Sequence, residues 1–62
     1  MKIKGEELKV GDVLETRWMG HTSTIIRFHE YHGPFDFVCK IAEFYDGSKM
    51  SIDREHYYDC VV

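Results

Sequence analysis

The residues best able to do chemistry in this chain are its four histidines and two cysteines, because imidazole and thiolate are zinc's usual ligands. His29, His32 and Cys39 lie close together in the sequence, and a fourth ligand would come from His21, His56 or Cys60. The spacing of His29 and His32 is not a recognised zinc motif. A hairpin that pairs His29 with Asp36 would also place His29 and Cys39 on opposite sheet faces. We therefore expect no metal and no cofactor, and interpret the histidines as surface residues.

Catalytic chemistry has still less support in the sequence. No Ser, Cys or carboxylate lies in a nucleophile motif, and no glycine-rich phosphate loop is present. The spacing of Cys39 and Cys60 matches neither a redox motif nor a disulfide scaffold, and we expect Cys39 to be a buried thiol in an apolar strand. The prediction is that the chain is not an enzyme.

Composition predicts one small folded domain covering residues 1–62. The chain is 44% hydrophobic and 15% aromatic, which is too apolar for a disordered tail. Its formal net charge of -3 argues against a dedicated duplex binder, which usually carries a basic face. No signal peptide and no long apolar run is recognisable, so we expect a cytoplasmic protein with no membrane association.

Short β-rich stretches separated by turn residues predict an all-β domain. After a short N-terminal strand, Glu6–Leu8 should form one helical turn that places Leu8 in the core. The main strands are predicted at Asp12–Trp18, Ser23–Tyr31, Phe35–Phe44 and Ser48–Asp53, with a short strand at the C-terminus. The fold class expected from this pattern is a small five-stranded barrel of antiparallel strands.

The Asp46-Gly47 pair predicts a tight hairpin. We expect a bulged turn over residues 45–47, with Gly47 at positive φ and Glu43 paired with Lys49 across the strands. The alternative two-residue turn would put Glu43 on the core face, which costs more than it gains. The preferred register places on the core face Ala42, Phe44, Met50 and Ile52.

A second hairpin is predicted around Gly33-Pro34. With residues 31–34 as the loop, Phe28 would pair with Phe37, and Phe37 and Cys39 would face the core. The two hairpins then disagree over which face of their shared strand points inward. A bulge or sharp bend near Lys40 would reconcile them.

Two short motifs give the sequence a family resemblance. Gly11, Val13 and Trp18 form an opening strand, and Ala42, Phe44, Asp46, Gly47 and Ser48 form a later hairpin. Over about residues 10–56 the chain resembles a Tudor-like domain of the SH3-like barrel class. The resemblance implies a non-catalytic binding module, in which Trp18 and Phe44 would be the remnant of an aromatic cage for a methylated side chain. The other cage positions hold Thr or Ser near residues 22–24 and Met50.

The chain has more aromatic residues than one small core can bury. The expected core comprises Leu8, Val13, Leu14, Ile26, Phe28, Phe37, Cys39, Ala42, Phe44, Met50 and Ile52. We therefore expect a partner-binding surface formed by Trp18, Tyr31, Phe35, Tyr57 and Tyr58.

Two functions fit such a surface. The first is binding of a protein partner through these aromatics and an acidic surface, as a small bacterial or phage modulator of a larger host protein would do. The alternative is binding of single-stranded nucleic acid or RNA, using Arg17, Arg27, Lys40 and Lys49. The second requires basic side chains beside exposed aromatics. A homodimer is compatible with either.

Overall fold

Six antiparallel strands form one continuous sheet in the computed structural model, which describes residues 1–16 and 21–61. The order across the sheet is β1-β6-β2-β3-β4-β5. A single 3-10 turn, Gly5–Glu7, follows β1. The strands are β1 (Lys2–Lys4), β2 (Val13–Thr16), β3 (His21–His29), β4 (Val38–Phe44), β5 (Lys49–Asp53) and β6 (Tyr57–Val61).

The predicted all-β, antiparallel class is confirmed, while the closed five-stranded barrel is not. β1 adds a sixth strand beside β6, and in the described residues the edge strands β1 and β5 do not pair with each other. β5 and β6 lie at distant places in the strand order, yet residues 54–56 alone connect them. Three residues span about 10 Å at most, so the sheet has to curl strongly to bring β6 beside β2.

The two ends of the curled sheet meet at Gly5. The Gly5 amide donates to the His56 carbonyl over 2.8 Å, and the Glu6 amide donates to the Arg54 carbonyl over 3.3 Å. A Cβ on Gly5 would lie 1.9 Å from the Asp53 carbonyl oxygen, so a side chain could not be accommodated without moving β5. Leu8 follows this contact and is buried, as predicted.

The core lies inside the curl. Ile25 is buried there instead of the predicted Ile26, because the β3–β4 register shifts between Ile25 and Arg27. Phe37 was also predicted in the core, but it is 51% exposed. The buried apolar residues are Leu8, Leu14, Ile25, Ala42, Phe44, Ile52 and Cys60, and Ile3, Phe28, Cys39, Met50 and Tyr58 pack against them.

Lys40 lies at the margin of this core. Its ammonium group is 4.2 Å from the centre of the Phe28 ring and donates to the Leu8 carbonyl over 2.9 Å. The β4–β5 register shifts between Val38 and Lys40, which confirms the irregularity predicted at this point. Lys40 therefore joins β3, β4 and the segment after the 3-10 turn.

The bulged hairpin between β4 and β5 is confirmed. Glu43 pairs with Lys49 and Ala42 with Met50, and Gly47 has a φ of 89°. The Gly47 amide donates to the Phe44 carbonyl over 2.9 Å.

β3 and β4 form the hairpin predicted around Gly33-Pro34, but its predicted register is wrong. Phe28 pairs with Ala42 rather than with Phe37, and His29 pairs with Ile41 rather than with Asp36. β4 begins at Val38, so the predicted tight turn is a wider loop over residues 30–37. The reason is that residues 35–38 form a turn, in which the Phe35 carbonyl accepts from the Val38 amide. A strand therefore cannot continue through these residues.

Glu43 is held by two cationic or protonatable groups on β3. The His29 Nε2 group donates to Glu43 Oε1 over 2.6 Å, and Arg27 Nε lies 3.9 Å from the same oxygen. The hydrogen bond from His29 is the largest cause of a lowered pKa for the Glu43 carboxyl. Lys49, its predicted partner across the strands, contributes less to that lowering.

We expect Gly47→Val to reduce the free energy of unfolding by about 1–2 kcal/mol, because a β-branched residue resists positive φ. No atom lies within 4 Å of a Cβ at this position, so the loss would come from backbone strain alone. Gly47→Asn is the matched control and should lose less, since Asn tolerates this conformation. Urea unfolding of the three proteins measures the difference, and equal midpoints would contradict the bulged turn.

We expect the pH dependence of stability to weaken in Glu43→Gln. A carboxyl whose pKa is lower in the folded than in the unfolded chain binds fewer protons when folded, so its stabilising effect disappears as the pH falls through the folded pKa. Glu30→Gln is the control, because the Glu30–His32 pair is more than 80% exposed on both sides and is screened by water. Thermal melts at a series of acidic pH values measure this. The melting temperature should vary less with pH in Glu43→Gln than in the wild type, and Glu30→Gln should behave as the wild type does.

Candidate functional site

Two exposed phenylalanines in contact form the most distinctive feature of the described surface. Phe35 is 56% exposed and Phe37 is 51% exposed. Their ring centres are 5.4 Å apart, with an angle of 38° between the planes. Aromatic rings at such a centroid distance attract each other when they are not stacked face to face. The two rings thus form one apolar surface rather than two isolated side chains.

The backbone of residues 30–37, called here the Phe35–Phe37 loop, is held from within. The Phe35 amide donates to the Tyr31 hydroxyl over 3.3 Å, and the Val38 amide donates to the Phe35 carbonyl over 3.2 Å. The Tyr31 side chain folds over Gly33, where a Cβ would meet the ring. The half-buried Tyr31 therefore supports Phe35.

Arg54 holds the same loop from outside. Its amide donates to the Phe37 carbonyl over 2.8 Å, and its guanidinium donates to the Asp36 carbonyl over 3.1 Å. Two consecutive carbonyls beside the exposed rings are therefore fixed. A surface ordered before binding loses less conformational entropy when a partner binds.

Acidic residues dominate the surroundings of the loop. Residues 30–37 together with 53–55 contain four acids and one arginine. The arginine is Arg54, whose guanidinium already binds a carbonyl, and His32 bonds to Glu30 over 3.1 Å. The Asp36 carboxylate, between the two phenylalanines in the chain, has no hydrogen-bond or ion-pair partner among the described residues. Glu55, another of these acids, is paired with Lys4 over 3.2 Å. The site thus combines apolar rings with more acidic than basic side chains, and the Asp36 carboxylate is the unpaired one beside the rings in the chain.

The other predicted partner-binding residues are distributed differently. Tyr57 is exposed on β6, whereas Tyr58 points inward and packs on the core. The Tyr58 hydroxyl accepts from the Asp53 amide over 2.9 Å, and its ring packs edge-on against His56. Burial is the main cause of the raised pKa of the Tyr58 hydroxyl. Trp18 lies outside the described residues.

Phe44, the second residue of the predicted cage remnant, is 2% exposed and belongs to the core. It faces Ile25 across the β3–β4 pairing. Its buried ring cannot line a surface cage, so this expectation is corrected.

The basic residues proposed for nucleic-acid binding do not gather beside the Phe35–Phe37 loop. Arg27 lies next to Glu43, and Lys49 pairs with Glu43 across the hairpin. Lys40 is engaged with Phe28 and the Leu8 carbonyl, and Arg17 is not among the described residues.

Metal and membrane features can be stated for residues 1–16 and 21–61. Within these ranges no group of three or more histidine, cysteine or acidic side chains is arranged to hold a metal ion. In the same ranges, no helical segment has both the length and the apolar character needed to cross a bilayer.

Sequence reasoning missed Phe37, Asp36 and Arg54 as parts of this surface. Pro34 and Asp36 are turn-forming residue types, which could have indicated that the strand starts at Val38 rather than at Phe35. Nothing local in the sequence indicates Arg54, because it reaches the loop from a turn seventeen residues beyond Phe37.

Comparisons with protein-family models, with curated proteins and with solved structures found no match for this chain.

We expect Tyr58→Phe to reduce the free energy of unfolding by about 1 kcal/mol, because the partly buried Asp53 amide would lose its acceptor. Tyr57→Phe removes the same hydroxyl from the exposed neighbour and should have almost no effect. Urea unfolding of both variants measures the difference. Equal losses would mean that the Tyr58 hydroxyl does not hold the end of β5.

Proposed function

We propose that this protein is a non-catalytic binding module that engages a protein partner through the Phe35–Phe37 loop. The observation that carries the proposal is the pair of exposed phenylalanine rings in contact on a backbone held by Tyr31 and Arg54. Exposed apolar patches of this kind on small proteins often mark interaction sites.

Rigid aromatic side chains suit a binding hot spot. They offer a large contact area and lose few rotatable bonds on binding, and hot-spot truncations typically cost about 2 kcal/mol or more. The loop backbone is already ordered by hydrogen bonds to Tyr31 and Arg54. Little of the free energy gained when the rings bind would therefore be offset by the cost of ordering the loop.

The fold supports a small-barrel module of the Tudor-like, SH3-like class. β6, the last strand, returns to pair with β2 near the start of the chain, and the short connection of residues 54–56 makes the sheet curl as a barrel does. Phe44 in the core removes methylated-side-chain recognition at the family's cage position from the proposal. The free thiols Cys39 and Cys60 suit a reducing compartment, and we propose a cytoplasmic location and a role as a small acidic modulator of a larger protein.

Binding of single-stranded nucleic acid is the second candidate. It would need cations beside stacking rings, since phosphate contacts supply much of the affinity. Arg27 is next to Glu43 and Lys40 is in the core margin, so Arg54, bound to the Asp36 carbonyl, is the one of these three cations beside the rings. The placement of charge thus favours a protein partner.

The test starts with affinity capture from a lysate, with and without nuclease, followed by purification of the captured protein. We expect Phe35→Ala and Phe37→Ala each to weaken its binding about 30-fold or more, which corresponds to the loss of about 2 kcal/mol. Tyr45→Ala is the matched control. Tyr45 is 84% exposed and lies at the other end of β4, roughly 20 Å from the loop.

Circular dichroism should show that all three variants fold, because the three side chains are exposed. Binding of a labelled oligothymidylate to the pure protein tests the second candidate. Three results together would show that the aromatic surface is not the functional one. The oligothymidylate binds tightly, Arg27→Glu abolishes that binding, and both phenylalanine variants still bind the captured protein.

A further inference from the structure

We infer that the partner presents a lysine or arginine to the Asp36 carboxylate, inserted beside the Phe35 and Phe37 rings. This inference rests on the proposed function and adds the chemistry of the partner's contact segment. That segment is basic, and apolar residues flank its cation.

The first argument is the state of the Asp36 carboxylate. It is exposed and has no partner among the described residues, while its own backbone carbonyl is occupied by Arg54. Covering it with an apolar partner would remove water from a charge and leave it unpaired, which is costly. Asp36 is exposed and lies between the two phenylalanines in the chain, so a partner that covers both rings also meets Asp36. It therefore needs a cation there.

The second argument is the pair of ring-bearing residues that flank Asp36 in the chain. A cation over an aromatic face is attracted by the ring's quadrupole, and it is attracted further when a carboxylate is close by. Arginine fits best, because its planar guanidinium can stack on a ring while its edge donates to a carboxylate. A cation over a phenylalanine ring already occurs within this protein, where the Lys40 ammonium lies over the Phe28 ring.

The third argument concerns the alternatives to a basic partner. A second copy of this chain docking through the same loop would bring two Asp36 carboxylates together, between chains that each carry a net charge of -3. The acids of residues 30–37 and 53–55 would add to that repulsion. An acidic or phosphorylated partner meets the same obstacle. Charge complementarity thus selects a basic segment.

The experiment is selection of a random peptide library displayed on phage against the whole protein. We expect the selected peptides to be enriched in Lys or Arg next to aromatic or aliphatic residues. A synthetic peptide of the selected sequence should bind Asp36→Asn about tenfold or more weakly than the wild type, the usual effect of losing a charge-assisted hydrogen bond. A repeated selection against Asp36→Lys should instead enrich acidic peptides.

Glu15→Gln is the matched control, because it also removes one exposed carboxylate. Glu15 lies opposite Thr22, near the end of β3 away from the loop, and the peptide should bind this variant as it binds the wild type. An equal loss of affinity in Glu15→Gln and Asp36→Asn would show that net charge rather than Asp36 attracts the peptide, and would overturn the inference.

The remaining outcomes separate the inference from the proposed function. The selected peptides could lack basic residues, bind Phe35→Ala more weakly than the wild type, and bind Asp36→Asn as tightly as the wild type. The inference would then be wrong, while the loop would remain a binding surface. If the selected peptides bind Phe35→Ala and Phe37→Ala as tightly as the wild type, both are wrong.

Discussion

The close approach of Gly5 to the end of β5 is the constraint on which the rest of this structure depends. A six-stranded sheet of short strands can enclose a core only if it curls until its ends meet. They meet where the Gly5 backbone contacts Asp53 and bonds to His56. This contact directs the following residues inward, so that Leu8 is buried in the core. The Leu8 carbonyl accepts a hydrogen bond from the Lys40 ammonium group.

Arg54 connects this closure to the candidate binding surface. Its carbonyl accepts from Glu6, which closes the sheet, while its amide and guanidinium donate to the carbonyls of Phe37 and Asp36. One residue of the short β5–β6 connection therefore fixes both the curl and the Phe35–Phe37 loop. The loop owes its order to the same contacts that stabilise the fold. That explains how two large apolar side chains remain exposed on an ordered backbone instead of collapsing into the core.

The hairpins show which parts of the fold the sequence made predictable. The β4–β5 register followed from Asp46-Gly47 and from the cost of burying Glu43, and both are local properties. The β3–β4 register did not follow from Gly33-Pro34. It depends on the shift between Ile25 and Arg27 and on bonds from Arg54, which come from residues distant in the chain. Phe37 was assigned to the core for this reason, since alternation alone places it on the same face as Cys39.

The sequence by itself determined the all-β class, the bulged turn at Gly47, most of the core and the excess of aromatic residues, because these depend on residue type and near-neighbour spacing. Only the tertiary structure decided which aromatics are exposed together. Tyr58 points inward, where its hydroxyl accepts a hydrogen bond from the Asp53 amide. Phe35 and Phe37 are exposed on a loop whose backbone groups are hydrogen-bonded to Tyr31 and Arg54. The Asp36 carboxylate has no partner in the part of the chain that the structure describes. Hydrogen bonds between residues far apart in the chain cannot be read from local patterns.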